Sequence, residues 1–252
     1  SRCVSCGACK KVSSYQNGIS LHEPIRAYAV VNKTQQQLEK SASGGVFSAV
    51  ATYFLKNEGV VYGAALDFEG GHPIAHLVGI DDASQLWRLQ GSKYVQSAVE
   101  QTYKQAKQNL DAGKKVLFSG TPCQIAGLYG YLKKEYTNLW TIDVICHGVP
   151  NLKFFDDYLS IEGKKRGGVP TGYSFRDKKR GWGMNARLDL RYLSGKEKST
   201  YIPARLTSYN TLFLDGDVYR ENCYACPYAR KERVSDMTLG ISGELNESTL
   251  SC

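Results

Sequence analysis

The chain has 252 residues, with 42% hydrophobic and 22% charged side chains, the proportions of an ordinary soluble globular protein of one or two domains. Its longest apolar runs, such as "GVVYGAAL", fall far short of the roughly 20 residues a membrane helix needs, so no membrane span is expected. The formal charge is +8, but the basic residues are spread along the chain and no recognised nucleic-acid module accompanies them, which argues against nucleic acid as the partner. A basic surface of this kind suits an anionic cofactor or an acidic electron-carrier protein. Eight cysteines, five of them in C-x-x-C spacings, read as metal or redox chemistry in a reducing compartment, and the expected location is cytoplasmic. No secretory leader precedes the cysteines; because the sequence starts at Ser1 and not at Met, that absence counts for less.

In chain order, residues 1–25 hold the run Cys3-x-x-Cys6-Gly7-x-Cys9 and "NGISLHEP", which reads as a hairpin-like turn and a brief strand. Two residues between ligands let a chain wrap a cubane cluster, and Gly7 permits close approach to it. The ferredoxin run would continue C-x-x-x-C-P, yet Ser13 and Ser14 stand there. In two-cluster ferredoxins that fourth cysteine serves the other cluster, so Cys3, Cys6 and Cys9 still read as three ligands of a peripheral cluster, in need of a fourth.

From Ser41 the texture changes. Val46, Phe47, Val50, Tyr53 and Phe54 follow a helical spacing that ends at Gly59. "VVYGAALD" and "IAHLVGI" read as strands, "DDASQLWRL" as a capped helical turn, and residues 98–112 as an amphipathic helix. A β-α-β unit follows: strand "KVLFSG", turn "TPC", helix "QIAGLYGYLKKEY" and strand "LWTIDVIC". After a helix over 151–162 come the β signals "GYSFRDK", "ARLDLRYLSG" and "STYIP". The expected class is α/β mixed with α+β, with a small cluster module at 1–25, an α/β region at 41–113 and a second at 114–252.

The β-α-β unit places Cys123 and Cys146 at the carboxyl ends of neighbouring strands, where α/β folds keep their sites. Cys123 also falls at a helix start, where exposed N–H groups favour the thiolate; the alternative is two small buried core residues. "NCYACPYARKER" adds Cys223-x-x-Cys226-Pro227. Together the four make the thiolate set of a [4Fe-4S] cluster, with Cys₄ zinc as the physical competitor. Ser43, Gly44 and Gly45 precede a helix and suit a phosphate or a plain serine cap. Lys93, Thr121 of the "TPC" turn, and Arg176 and Lys178 of "FRDKKRGWG" are further candidates for an anionic cofactor, the alternatives being a surface lysine and a plain basic loop; Trp182 offers a stacking ring, and His147 a proton relay or a partner for a backbone carbonyl.

These stretches, "CVSCGAC", "SASGGVFSA", "GSKYVQS", "VLFSGTPCQIAGL", "DVICHGVP", "FRDKKRGW" and "CYACPYARKERVSDMTLG", occur in order along nearly the whole chain. In them the sequence resembles the coenzyme F420 hydrogenase/dehydrogenase beta-subunit family. The resemblance implies an iron–sulfur flavoprotein with a ferredoxin-like front and an α/β core that binds FAD beside a cluster. It further implies electron transfer between one or two [4Fe-4S] clusters and FAD, with hydride transfer to or from a deazaflavin or another soluble acceptor. A ferredoxin-like carrier is the implied protein partner, and polysaccharide biosynthesis an implied setting. Two departures stand out: further front cysteines are missing, and "DMTLG" runs into "ISGELNESTLSC" where the family reads D-x-T-x-G-D-F-W-G. A truncated or degenerate member is therefore expected. Two other readings stay open, a non-catalytic iron–sulfur electron-transfer subunit and a zinc-stabilised binding protein.

Overall fold

Strand β1 (Val60–Glu69) is buried on successive residues at its start, as a strand covered on both faces must be. In the computed structural model, which describes residues 20–181, 183–203 and 206–240, β1 pairs antiparallel with β2 (His72–Ile80) and parallel with β3 (Val116–Gly120). Strand β4 (Leu139–Val144) continues the parallel run beside β3. A second, antiparallel sheet follows from β5 (Val169–Ser174), β6 (Ala186–Arg191) and β7 (Glu197–Ile202). The chain then returns, and β8 (Met237–Leu239) lies parallel to β4, completing the order β2-β1-β3-β4-β8. The α/β class expected from the sequence is the class found. The boundary expected near residue 113 falls inside this first sheet, which takes β1 and β2 from one side of it and β3, β4 and β8 from the other.

Helices cover both faces of the first sheet. On one face α1 (Gln35–Lys40) leads into α2 (Val46–Lys56), and α3 (Leu86–Leu89) joins them. Ala51, Phe54 and Leu89 there pack on Val61, Leu117 and Ile142. On the other face lie α4 (Thr102–Asp111) and α5 (Pro122–Leu132). Their Ala106, Leu110, Ile125 and Leu128 meet Tyr62 and Phe118. Each such aliphatic or aromatic side chain contributes about 1.5–3 kcal/mol by leaving water. Helix α6 (Leu152–Arg166) packs its Phe155 and Leu159 on Leu188 and Leu190 of the second sheet, together with Tyr209 of α7 (Ser208–Asp215). A short α8 (Glu221–Tyr224) precedes β8.

Several element ends differ from the sequence reading, each for a local reason. The helix expected through Tyr136 stops at Leu132, because Lys133 turns left-handed and its N–H bonds Tyr129 O. The helix expected over 151–162 gains a turn, since Lys164, Lys165 and Arg166 suit its negative end and Gly167 closes it. The brief strand expected in "NGISLHEP" is a single bridge from His22, and its partner is Arg233 rather than a neighbouring hairpin strand. Residues 1–19, with Cys3, Cys6, Cys9 and Ser13, lie outside the described residues, as does Trp182.

Arg233 also makes the ion pair that closes this edge. Its Nη2 lies 2.9 Å from Oδ1 of Asp143, whose side chain is 0% exposed against 13% for the arginine. The same guanidinium reaches Val144 O, Thr238 Oγ1 and Arg230 O, so it ties β4, β8 and the turn after Cys226 together. Removing one member of a buried pair leaves the other charge without a partner, at a cost of about 3–5 kcal/mol. Arg233→Ala is therefore expected to lower the free energy of unfolding by that amount in a denaturant titration. Lys153→Ala, which removes an exposed helix pair with Asp157, is expected to leave the midpoint unmoved.

Candidate functional site

Parallel strands β3 and β4 end side by side, and the chain sets a cysteine just past each end. Pro122 opens α5, where its missing N–H costs nothing and its fixed φ fits. The turn before it is pinned by Thr121 N–H donating to Gln124 Oε1 at 2.9 Å. Cys123 is the next helical residue, beside the free N–H groups of the first turn. Thr121 Oγ1 lies 3.1 Å from both Cys123 Sγ and Gln124 Oε1. Its one hydroxyl proton has two acceptors to choose from, and an ionised sulfur is the stronger.

Cys146 stands two residues past β4, where Ile145 N–H still donates to Leu239 O at 2.9 Å. Gly148 N–H donates to Cys146 Sγ at 3.5 Å. Gly148 has φ +110°, and a Cβ there would meet the Tyr219 ring at 2.8 Å. Tyr219 thus packs on bare backbone, and Arg220 N–H next to it donates to Val149 O at 3.0 Å. These two contacts deliver the following segment, with Cys223 in α8 and Cys226 just after it.

The four cysteines are free and half-buried, and Cys123 and Cys226 pack against one core. The Cys146 thiol is pushed up to about 11, by burial first; the Gly148 N–H opposes this, and the sulfurs of Cys123, Cys223 and Cys226 add to it. So the four cysteines picked out in the sequence share one neighbourhood. Among the described residues no group of three or more His, Cys, Asp or Glu side chains is placed to hold a metal ion; what is present is four thiols whose charges act on one of them. By residue type, though not by a closed geometry, four thiols are the donors that a thiophilic centre takes. A bound cation reverses the repulsion between thiolates and deprotonates coordinating thiols.

The glycine-rich loop is arranged differently from the phosphate cradle or serine cap expected of it. Gly45, not Ser43, is the N-cap of α2, and no side chain caps the helix. A Cβ on Gly44 would meet Val30 O at 2.6 Å, and one on Gly45 would meet Asn32 Cβ at 3.0 Å. The close approach these glycines allow is thus made by the chain's own residues 30–32. Lys178 Nζ donates to Ser43 O at 3.0 Å and Leu38 O at 2.8 Å, which joins two motifs far apart in sequence. Burial, then the nearby Arg176 charge, holds the Lys178 ammonium below the usual lysine range. Arg176 itself donates from Nε to Gly183 O at 3.3 Å.

Lys93 joins the same polar network. Its Nζ donates to Gln90 O at 2.7 Å and Arg88 O at 2.9 Å. Gln90 Nε2 in turn donates to Gln37 Oε1 and Ser48 Oγ. Burial pushes the Lys93 ammonium down to about 7, with Asp67 acting the other way. From Tyr94 a row of rings leads to the cysteines: Tyr94 to Phe213 at 5.0 Å, then Tyr219 and Tyr224 at 5.7 Å each, with His147 6.4 Å from Phe213. Gln90, Tyr219 and Arg220 were not singled out in the sequence. Their one signal there is position: Gln90 shares a turn with Lys93, and Tyr219-Arg220 directly precede α8.

The fold is that of an α/β protein with a mixed five-stranded sheet, in which Cys123 and Cys146 follow the carboxyl ends of the neighbouring strands β3 and β4. Residues 113–250, more than half of the chain, match the family described as the C terminus of the coenzyme F420 hydrogenase/dehydrogenase beta subunit, and the chain belongs to that family. Among solved structures, a chain of the xenon-derivatized F420-reducing [NiFe] hydrogenase complex from Methanosarcina barkeri is similar. It has a TM-score of 0.51 and 14% identity, over 86% of this chain and 70% of that one. No curated protein sequence matches. No helix among the described residues is long and apolar enough to cross a membrane.

The Tyr219–Gly148 contact gives a direct test of the site. Gly148→Ala combines a left-handed φ with a clash against an aromatic ring, each of order 1–3 kcal/mol. It is expected to lower the melting temperature. In metal-free protein under anaerobic conditions it is also expected to speed the reaction of Cys146 and Cys223 with a thiol reagent, since the two loops part.

Proposed function

We propose that the chain is an oxidoreductase subunit that passes electrons between an iron–sulfur cluster and FAD, exchanging hydride with a deazaflavin or another soluble acceptor. The observation that carries this reading is the convergence of Cys123, Cys146, Cys223 and Cys226 at the carboxyl edge of the sheet, within the family's own segment. These four would hold the core [4Fe-4S] cluster. The Gly148 N–H donates toward Cys146 Sγ and the Thr121 hydroxyl lies 3.1 Å from Cys123 Sγ, and hydrogen bonds to the sulfur ligands tune a cluster's potential. Cys3, Cys6 and Cys9 would serve a second, peripheral cluster that receives electrons from a ferredoxin-like carrier. When bound, FAD supplies the change from single electrons to hydride, and the protein supplies position and charge. Ser43, Gly44, Gly45, Lys93, Thr121, Arg176 and Lys178 would lie on the flavin side. The setting we assign is the cytoplasm, and polysaccharide biosynthesis is the context in which an acceptor other than F420 would serve.

A second reading, a cluster-carrying electron-transfer subunit without flavin, draws on a specific observation. Residues 30–32 fill the space beside Gly44 and Gly45, and Lys93 and Lys178 direct donors to protein carbonyls.

Anaerobic purification with iron, sulfide and flavin counted per chain separates these. The expected result is about four iron and four sulfide per cluster together with one FAD, and Cys223→Ser losing the core cluster's iron. Iron and sulfide without flavin would select the second reading. Zinc without sulfide, or full iron in Cys223→Ser, would overturn the cluster assignment.

A further inference from the structure

Residues 23–31 run between two fixed points. At one, His22 and Arg233 exchange backbone hydrogen bonds of 2.8 Å. At the other, the Asn32 backbone N–H donates to Gly44 O at 2.7 Å and its side-chain amide to Gly45 O at 3.2 Å. Every residue between them is exposed, and among the described residues none of their backbone groups bonds to another. Water serves such backbone groups, but several of the side chains do not suit it. Ile25 is 94% exposed, Tyr28 73%, Val30 58% and Val31 62%. One exposed apolar residue needs no explanation; four in a single short segment mark an interaction site.

Backbone and charge choose the occupant. Past a bend at Ile25, residues 26–31 hold no positive φ, and their unpaired N–H and C=O groups offer an edge to which a protein adds an extended segment. A lipid surface supplies no such partners, since hydrocarbon requires every backbone group to be satisfied within the protein. Glu23 is the one carboxylate in residues 20–33, and Lys231 pairs with it at 3.1 Å. Arg26 and Lys33 are exposed, and Lys178 is bonded to Ser43 O in the loop that holds the far end. A second copy would set these charges against their own kind, whereas an acidic surface complements them.

We propose that residues 26–31 are a docking segment for an acidic protein, whose extended chain pairs with the free backbone edge and covers Tyr28, Val30 and Val31. The near end of the segment is fastened to Arg233, whose guanidinium bonds Arg230 O in the turn after Cys226. A partner seated here abuts the stretch that carries the C-x-x-C pair. On the functional reading above, on which this part rests, the acidic partner is the electron carrier. The docking surface itself stands on exposure, backbone and charge.

The probe is an oxidised acidic [2Fe-2S] ferredoxin, titrated calorimetrically into the full chain. A one-to-one complex is expected at about 0.02 M salt, weakened by about tenfold or more at about 0.3 M. Tyr28→Ser combined with Val30→Ser, and separately Arg26→Glu, should each weaken it by about tenfold. Leu193→Ser, at an exposed turn between β6 and β7, should leave it unchanged. In amide hydrogen exchange the N–H groups of 26–31 should be unprotected in the free chain, with alternate ones slowed in the complex. No complex, or one indifferent to the segment variants, overturns the proposal. So do amides already protected in the free chain, a dimer that the Tyr28→Ser, Val30→Ser variant loses, and attachment to phosphatidylserine vesicles through these residues. A chain that binds the ferredoxin through this segment, yet holds neither iron nor flavin after anaerobic purification, overturns the functional reading instead, and the docking segment stands.

Discussion

Tyr219 lies against a residue that has no side chain, and the segment that carries Cys223 meets the loop after Cys146 through that contact. Cys123 and Cys146 are placed by the parallel pairing of β3 with β4, which fixes two strand ends next to each other. Cys223 and Cys226 arrive after the whole second sheet, with Cys226 against the core of the first and Arg233 holding the turn after it to β4 and β8. The Tyr219 ring on Gly148, and the Arg220 bond to Val149 O beside it, carry them in.

The same economy holds on the other side of the rim. Lys178 and Lys93 satisfy carbonyls that helix ends and loops would otherwise leave bare, and so stitch the Ser41–Gly45 loop, α3 and the segment after β5 into one network. Buried carbonyls need partners whether or not a cofactor is bound. This explains why such residues serve structure and chemistry together, and why a polar network at this rim is rigid enough to hold a defined shape.

Much of this was legible in the sequence, and what was not has a physical cause. The β-α-β unit announced itself through a short apolar strand, Pro122 at a helix start and a second apolar strand; the position of Cys123 and Cys146 followed from it. The C-x-x-C-P pair stood out as a candidate ligand pair, and the ordered motifs pointed to the family that the C-terminal match establishes. Strand β8 was not foreseen, because three residues in "DMTLG" carry no period long enough to read. Nor was the use made of Gly44 and Gly45. A glycine pair signals close approach, but a sequence does not say whether a ligand or residues 30–32 of the same chain will approach. Lys93 read as an anion contact or a plain surface lysine; its bonds to Arg88 O and Gln90 O depend on a local fold that a single polar residue does not announce.

Arg233 stands where three segments cross. Its side chain holds Asp143 on β4 and Thr238 on β8, and its backbone exchanges two hydrogen bonds of 2.8 Å with His22. The chain just after the front cysteines is thus fastened to the core through a residue seven positions beyond Cys226. In amide hydrogen exchange, the His22 and Arg233 N–H groups would open as one cooperative unit with the end of β8. Any ligand that tightens the C-x-x-C loop would slow exchange at His22, some two hundred residues earlier in the chain.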